Sequence, residues 1–242
     1  MAVLPTYFGA DVAVESTSGS AATQATTDTA VNDIMIALCE APSNSGFAAT
    51  TNGFTEFSGS PFGTGSGTTG TWLKVLWKRA TASGGQAGPV FSQTNHTIGR
   101  VFNFRGCATS GNPWDVSGGS FTSTASTGLV MVKSLTTTEA STLVFAAASE
   151  GFDSASVQFS SWGNSNLASI VERSDVGTAL GNGGGLGAIT GTRLATGRIG
   201  GAHALLANSF AQSWFIIALK GPAAAGPSTS AKMEPMFIVR QW

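Results

Sequence analysis

Charged side chains are scarce in this sequence, at 10% of 242 residues, against about 25% in an ordinary soluble domain. Lys and Arg together number 12 and Asp and Glu number 13, so the formal net charge is −1. Binding to nucleic acid or to an anionic membrane surface depends on clustered Lys and Arg side chains. We therefore expect neither nucleic acid nor a membrane as the main partner.

Residues that commonly carry chemistry are also few, with two Cys and two His in the chain. His96 and His203 form no H-x-x-x-H or H-E-x-x-H pattern, and no C-x-x-C pattern occurs, which argues against a zinc site. No G-x-S-x-G motif of serine hydrolases is present. Residues 65–70 match G-x-G-x-x-G by letter, but they open onto a predicted strand and not a helix, so we interpret them as a loop. We expect no catalytic residue, no metal and no cofactor.

Long apolar runs are absent, since no stretch approaches the roughly 20 residues of a membrane-spanning helix. Residues 1–15 have neither a positively charged segment nor an apolar core segment, so we expect no secretion signal. In an unsecreted chain, Cys39 and Cys107 are predicted to be reduced thiols in strands and not a disulfide.

The acidic residues are scattered, and Glu150 with Asp153 is the closest approach to a carboxylate pair. A glycan depolymerase needs two carboxylates within about 5–10 Å of each other in a cleft. Because folding brings distant residues together, the sequence leaves that alternative open.

Small residues and alternating apolar residues dominate what is present: 32 Gly, 29 Ser, 29 Thr and 42% hydrophobic residues. Short runs with a period of two recur between Gly, Ser, Thr and Asn clusters, which is typical of β-sandwiches and barrels. We predict an all-β domain over residues 1–220, a two-sheet antiparallel sandwich that is jelly-roll-like. Phe102 and Phe215 are predicted to face the core, and each strand to have its other face towards solvent or a partner.

The C-terminal part of the chain differs from this pattern. Residues 221–231 form a linker by composition, rich in Gly, Pro, Ala and Ser. Residues 232–242 form an apolar tail, which we expect to dock on a neighbouring molecule; folding back onto its own domain is the alternative. The predicted contact residues of this tail are Met233, Met236, Phe237, Ile238, Val239 and Trp242. We also expect contacts from four Gly-rich loops, at residues 58–70, 82–88, 107–126 and 181–187.

Three of the six tryptophans, Trp72, Trp114 and Trp162, are candidates for a binding role. Trp72 shares a strand face with Lys74 and Lys78, while Trp114 and Trp162 lie in polar segments predicted to be loops. Such tryptophans stack on sugar rings or anchor protein interfaces, or else they cover the open end of the sandwich.

Several short strings of residues, in the same order along the chain, resemble a family of virion proteins of tailed bacteriophages. The resemblance covers about residues 3–220, and the segment after Lys220 departs from it. The strings that carry it are Pro5-Thr-Tyr-Phe-Gly-Ala10, Asn32-Asp-Ile34, Gly53-Phe-Thr-Glu56, Ser60-Pro61, Trp77-Lys-Arg-Ala80, Phe104-Arg-Gly-Cys107, Gly111-Asn-Pro-Trp-Asp-Val116, Asn166-Leu-Ala168, Glu172-Arg173, Gly181-Asn-Gly-Gly-Gly185 and Ile217-Ala-Leu-Lys220.

The resemblance implies a non-enzymatic β-sandwich structural protein of the virion, with no catalytic residue to transfer. We expect a capsid decoration (cement) protein that contacts the major capsid protein or other virion proteins and forms a homo-oligomer, with a trimer as the working assumption. The alternative is a tail-associated adhesin that recognises host surface glycans through Trp72, Trp114 and Trp162.

Overall fold

The computed structural model describes residues 3–17, 21–24, 28–131 and 135–223. Its regular structure is almost entirely β, with a single short 3-10 turn at Gly67–Thr69. The strands in chain order are β1 (Thr6–Ala10), β2 (Val14–Ser16), β3 (Ala21–Gln24), β4 (Ile34–Ala41), β5 (Ala48–Thr50), β6 (Thr55–Glu56), β7 (Phe62–Thr64), β8 (Thr71–Arg79), β9 (Ala87–Ser92), β10 (Thr97–Arg105), β11 (Trp114–Val130), β12 (Thr136–Thr137), β13 (Thr142–Glu150), β14 (Phe159–Gly163), β15 (Ala168–Thr178), β16 (Gly184–Arg193), β17 (Gly197–Arg198) and β18 (His203–Lys220).

Two main antiparallel sheets are stacked face to face. Sheet I has the order β1-β10-β4-β8-β6, with β2 on β10 and β7 on β8; sheet II has the order β11-β18-β13-β16-β15, with β14 on β18. The predicted all-β, two-sheet antiparallel sandwich is confirmed. The chain completes sheet I before it enters sheet II, so the two sheets come from successive halves of the chain and their strands do not interleave as the jelly-roll-like prediction implies.

The main core lies between the two sheets. Phe102 of sheet I and Phe215 of sheet II are both fully buried there, as predicted. Phe102 lies 4.9 Å, ring centroid to ring centroid, from Phe145 on the opposite sheet. Interlocking aromatic rings from both sheets thus fix how the sheets stack.

Each sheet also has an apolar cluster on its outer face, so the prediction that each strand turns its other face towards solvent or a partner is wrong for the central strands. All eight residues of β4 and all nine of β13 are buried. On β4, Ile36 faces the main core while Ala37 packs in the outer cluster with Phe47 and Phe91. Small residues such as Ala37 leave room for a covering layer, which the short sheet β3-β9-β5 and its neighbouring loops provide.

Two further predictions need correction. Residues 107–126, predicted to be a loop, include the first part of β11, which begins at Trp114. Cys39 lies within β4 as expected, but Cys107 lies two residues after β10 ends. Both cysteines are free, as predicted, and both are buried.

Candidate functional site

Polar side chains gather at one end of the sandwich, where antiparallel strands of both sheets start or finish. Glu40 stands near the end of β4, Thr71 begins β8, and His96 precedes β10. From sheet II come Ser149 and Glu150, the last two residues of β13. We call this group, completed by Gln158 and Ser213, the polar cluster. Every member is at most 1% exposed.

The centre of the polar cluster is a buried pair of ionisable side chains. His96 Nε2 lies 2.8 Å from Glu40 Oε2, and both side chains are fully buried. The other ring nitrogen, Nδ1, lies 3.1 Å from Asn95 Oδ1. Both ring nitrogens therefore face oxygens, which fixes the orientation of the ring. Burial raises the pKa of the Glu40 carboxyl, and the charge and hydrogen bond of His96 oppose that rise.

A chain of hydroxyls links the two sheets beside this pair. Thr71 Oγ1 donates to Glu40 Oε1 at 3.4 Å and lies 2.8 Å from Ser149 Oγ. Ser149 Oγ lies 2.6 Å from Ser213 Oγ. Since Thr71 belongs to sheet I and both serines to sheet II, these hydrogen-bonded hydroxyls link the two sheets where the main core ends.

Glu150 has one satisfied and one unsatisfied carboxyl oxygen. The Phe152 N–H donates to its Oε2 at 2.9 Å, while its Oε1 is buried without a hydrogen-bond partner. Gln158 Oε1 is likewise buried and unpartnered. Burial raises the pKa of Glu150 to about 8, with the nearby acidic groups Glu40 and Asp175 adding to the rise. Glu150 is thus held as a neutral acid at neutral pH.

Gly184 and Gly185 are needed because the polar cluster occupies the space that their side chains would take. A Cβ on Gly184 would collide with the Glu40 carboxylate, and one on Gly185 with Gln158 Oε1. Both glycines are buried. The segment 181–187, predicted to supply external contacts, instead packs its central glycines against the cluster.

The chemistry open to this arrangement is limited by its burial. Nucleophilic catalysis needs a hydroxyl in hydrogen-bond reach of a base and access for a substrate. His96 faces Glu40 and Asn95, while Ser149 bonds only to other hydroxyls. Within the described ranges, no group of three or more His, Cys, Asp or Glu side chains is placed to hold a metal ion. The polar cluster is therefore best described as a buried hydrogen-bonded link between the two sheets.

The three tryptophans singled out from the sequence all pack partly buried against the domain. Trp114, the first residue of β11, has its ring centroid 4.8 Å from that of Trp77 and 4.9 Å from that of Phe57. Trp162 stacks on Phe159 within β14 at 5.6 Å. The Trp72 Nε1–H donates to the Gly65 carbonyl at 3.0 Å. Trp114 and Trp162 thus lie in strands, contrary to the loop prediction, because each ring completes an apolar cluster.

The predicted contact residues of the tail lie outside the described residues, as does the linker beyond Ala223. These contact residues are Met233, Met236, Phe237, Ile238, Val239 and Trp242.

Sequence reasoning missed the polar cluster. Its available signal was a carboxylate at the end of a long apolar run, as in Ile34 to Ala41, where Glu40 is the one charged residue. Such a residue indicates a buried charge that needs a partner. The sequence alone does not say that the partner is His96.

Comparisons of the chain with family models, with curated proteins and with solved structures find no match. Among the described residues, no helix has the length and apolar character to cross a membrane.

Proposed function

We propose that this chain is a structural protein of a bacteriophage virion, a capsid decoration (cement) protein that stabilises the head through many modest contacts. The carrying observation is the polar cluster: its acid–base and hydroxyl side chains are buried, and they join the two sheets. Such an arrangement supports a rigid building block better than an enzyme. The resemblance of residues 3–220 to tailed-phage virion proteins motivates the assignment to a virion.

Three apolar clusters across the sandwich support the mechanical part of the proposal. The outer faces of β4 and β13 are covered by the chain itself, so the domain holds its shape without a partner layer. Contacts with the major capsid protein or with other copies then fall to the surface strands and to residues 232–242. Many such contacts, each weak, gain strength when they form together on a repetitive shell.

The alternative, a tail adhesin that binds glycans, draws no support from the tryptophans. Sugar stacking needs an aromatic face open to solvent. Trp114 and Trp162 instead contact other rings of the domain, and Trp72 is tied to Gly65.

Immunogold electron microscopy of purified phage particles tests the proposal. Antibody raised against the purified chain is expected to label the shell at many positions. Label confined to the tail would favour the adhesin, and purified particles without label would refute a virion role altogether. An unrelated antibody of the same class serves as the control.

A further inference from the structure

The ribbon formed by β11 and β18 folds back on itself. Trp114 to Thr122 pair with Leu219 to Gln212 in sheet II, and Gly128 to Val130 pair with Leu205 to His203 further along. Between these stretches the register shifts twice. Leu129, beyond the shifts, packs in the cluster on the outer face of sheet II. The distal part of the ribbon therefore lies over its own sheet.

A groove of about 390 Å³ follows this bend. Its apolar walls are Phe121, Val130 and Trp214, and small polar residues such as Thr124 and Ser126 fill the rest. Phe121 is 48% exposed and Val130 is 51% exposed. None of the residues that line the groove is charged. The groove therefore suits an apolar segment of polypeptide.

Two features of the groove favour a peptide occupant. β11 is the terminal strand of sheet II among the described residues, and an edge strand offers main-chain groups to an added strand. Phe121 and Val130, each about half exposed, leave apolar surface on the groove that an apolar segment would cover.

We propose that the groove receives residues 232–242 of a second copy of this chain. Six of these eleven residues are apolar, namely Met233, Met236, Phe237, Ile238, Val239 and Trp242. The inference rests on the proposed function, in which the tail contacts a neighbour, and it names the surface that accepts the tail.

The path of the chain favours a neighbour over the same molecule. β18 runs from Trp214 towards Lys220, so the chain leaves the domain while moving away from the groove. The Lys220 N–H donates to the Pro113 carbonyl at 3.0 Å, which fixes the exit beside the start of β11. The linker 221–231 then contains two prolines. A tail that returned to the groove of its own molecule would have to reverse the direction of β18 within this linker.

A complementation experiment with the full-length chain tests this assignment. The groove variant carries Phe121→Lys and Val130→Lys, two half-exposed positions where polar side chains leave the core intact. The tail variant carries Phe237→Glu and Val239→Glu. Sedimentation velocity over a hundredfold concentration range measures self-association. We expect the wild-type chain to associate and each variant alone to associate at least tenfold more weakly.

An equimolar mixture of the two variants is the decisive sample. It contains one intact tail and one intact groove, so we expect a 1:1 complex to reappear. A mixture that stays monomeric, a groove variant that associates like the wild type, or a wild-type chain that is monomeric throughout would each overturn the proposal. Val157→Lys, at an exposed apolar position outside the groove, is the matched control and should associate normally.

The outcome is separable from that of the proposed function. Solution assembly depends only on groove and tail, whereas the virion role depends on labelling of particles. Complementation without particle labelling would refute the virion role and leave the groove assignment standing. Particle labelling without complementation would refute the groove assignment and leave the virion role standing.

Discussion

Glu150 and Gln158 each bring an unpartnered Oε1 atom close to Gly185, in a region where both side chains are 1% exposed. The amide of Gln158 is held in one orientation, because its Nε2 faces the carbonyls of Phe152, Ser154 and Gly184 at 2.7–3.2 Å. Two unpartnered acceptor oxygens in the same buried region are unfavourable unless one carries a proton. The raised pKa of Glu150, about 8, is consistent with that proton residing on its carboxyl.

The free energy of unfolding should therefore fall as the pH rises from about 4.5 to about 8. The pKa of Glu150 is higher in the folded chain than its ordinary value of 4.5, so its stabilising contribution is complete below pH 4.5 and is lost as pH rises through 8. The shift corresponds to a loss on the order of 5 kcal/mol. Urea denaturation at a series of pH values measures it.

Glu150→Gln should remove most of this pH dependence, because the amide stays neutral. The variant is expected to exceed the wild type in stability at pH 9 and to match it near pH 4. Burial also raises the pKa of Asp175, so a smaller slope should remain. Glu139→Gln, at an exposed carboxylate, is the control. Parallel pH profiles for wild type and Glu150→Gln would contradict the neutral-acid assignment.

Phe102→Ala and Phe215→Ala should each destabilise the domain by about 3–5 kcal/mol, because each leaves a cavity between the sheets. Both rings are at most 1% exposed in the main core. Thermal and urea unfolding measure the loss. Phe121→Ala, at a ring that is 48% exposed, should cost far less. Equal effects at all three positions would show that the assignment of faces is wrong.

The alternation of apolar residues was sufficient to predict which side chains face the main core. A period of two assigns Phe102 and Phe104 to the same face, and both lie in the main core. The same period could not reveal that the opposite face of β4 is also buried. Ala37 and Cys39 are small enough to suit either solvent or a covering layer, and only the fold places Phe47 and Phe91 over them.

The candidate site was harder to predict, because its contacts are long-range. Glu40 and His96 are 56 residues apart and meet only when β4 pairs with β10. Ser149 and Thr71 are 78 residues apart and on different sheets. No local pattern encodes such pairs. The sequence could have indicated a buried charge at Glu40, but only the order of the strands in the sheet identifies His96 as its partner.

His96→Ala should destabilise the domain by about 3–5 kcal/mol, because it leaves the Glu40 carboxylate buried without its partner. The cost should be smaller in a Glu40→Gln background, where no charge remains to be compensated. A double-mutant cycle by urea unfolding at pH 7 measures that coupling. His203→Ala, at an exposed histidine, is the control. Should His96→Ala be no more costly than His203→Ala, the pair does not stabilise the fold.

Gly184→Ala should destabilise the domain by about 1–3 kcal/mol through overpacking. The added methyl group would overlap the carboxylate of Glu40, which His96 and Thr71 hold in place. Gly85→Ala is a suitable control, since a Cβ there meets no atom within 4 Å. Differential scanning calorimetry of both variants measures the difference. Similar melting temperatures for the two variants would mean that the polar cluster accommodates the added methyl group at residue 184 without a measurable loss of stability.

Deletion of residues 232–242 should leave the sandwich folded and weaken attachment to the particle. The described strands end at Lys220, and the three apolar clusters draw on no residue beyond it. The truncated chain should therefore unfold at the wild-type urea midpoint. Its binding to particles that lack the protein, measured by co-sedimentation, should fall at least tenfold, because each lost contact is multiplied over many copies. A truncated chain that decorates particles with unchanged affinity would exclude the tail as a contact, and one that fails to fold would show that the tail belongs to the domain.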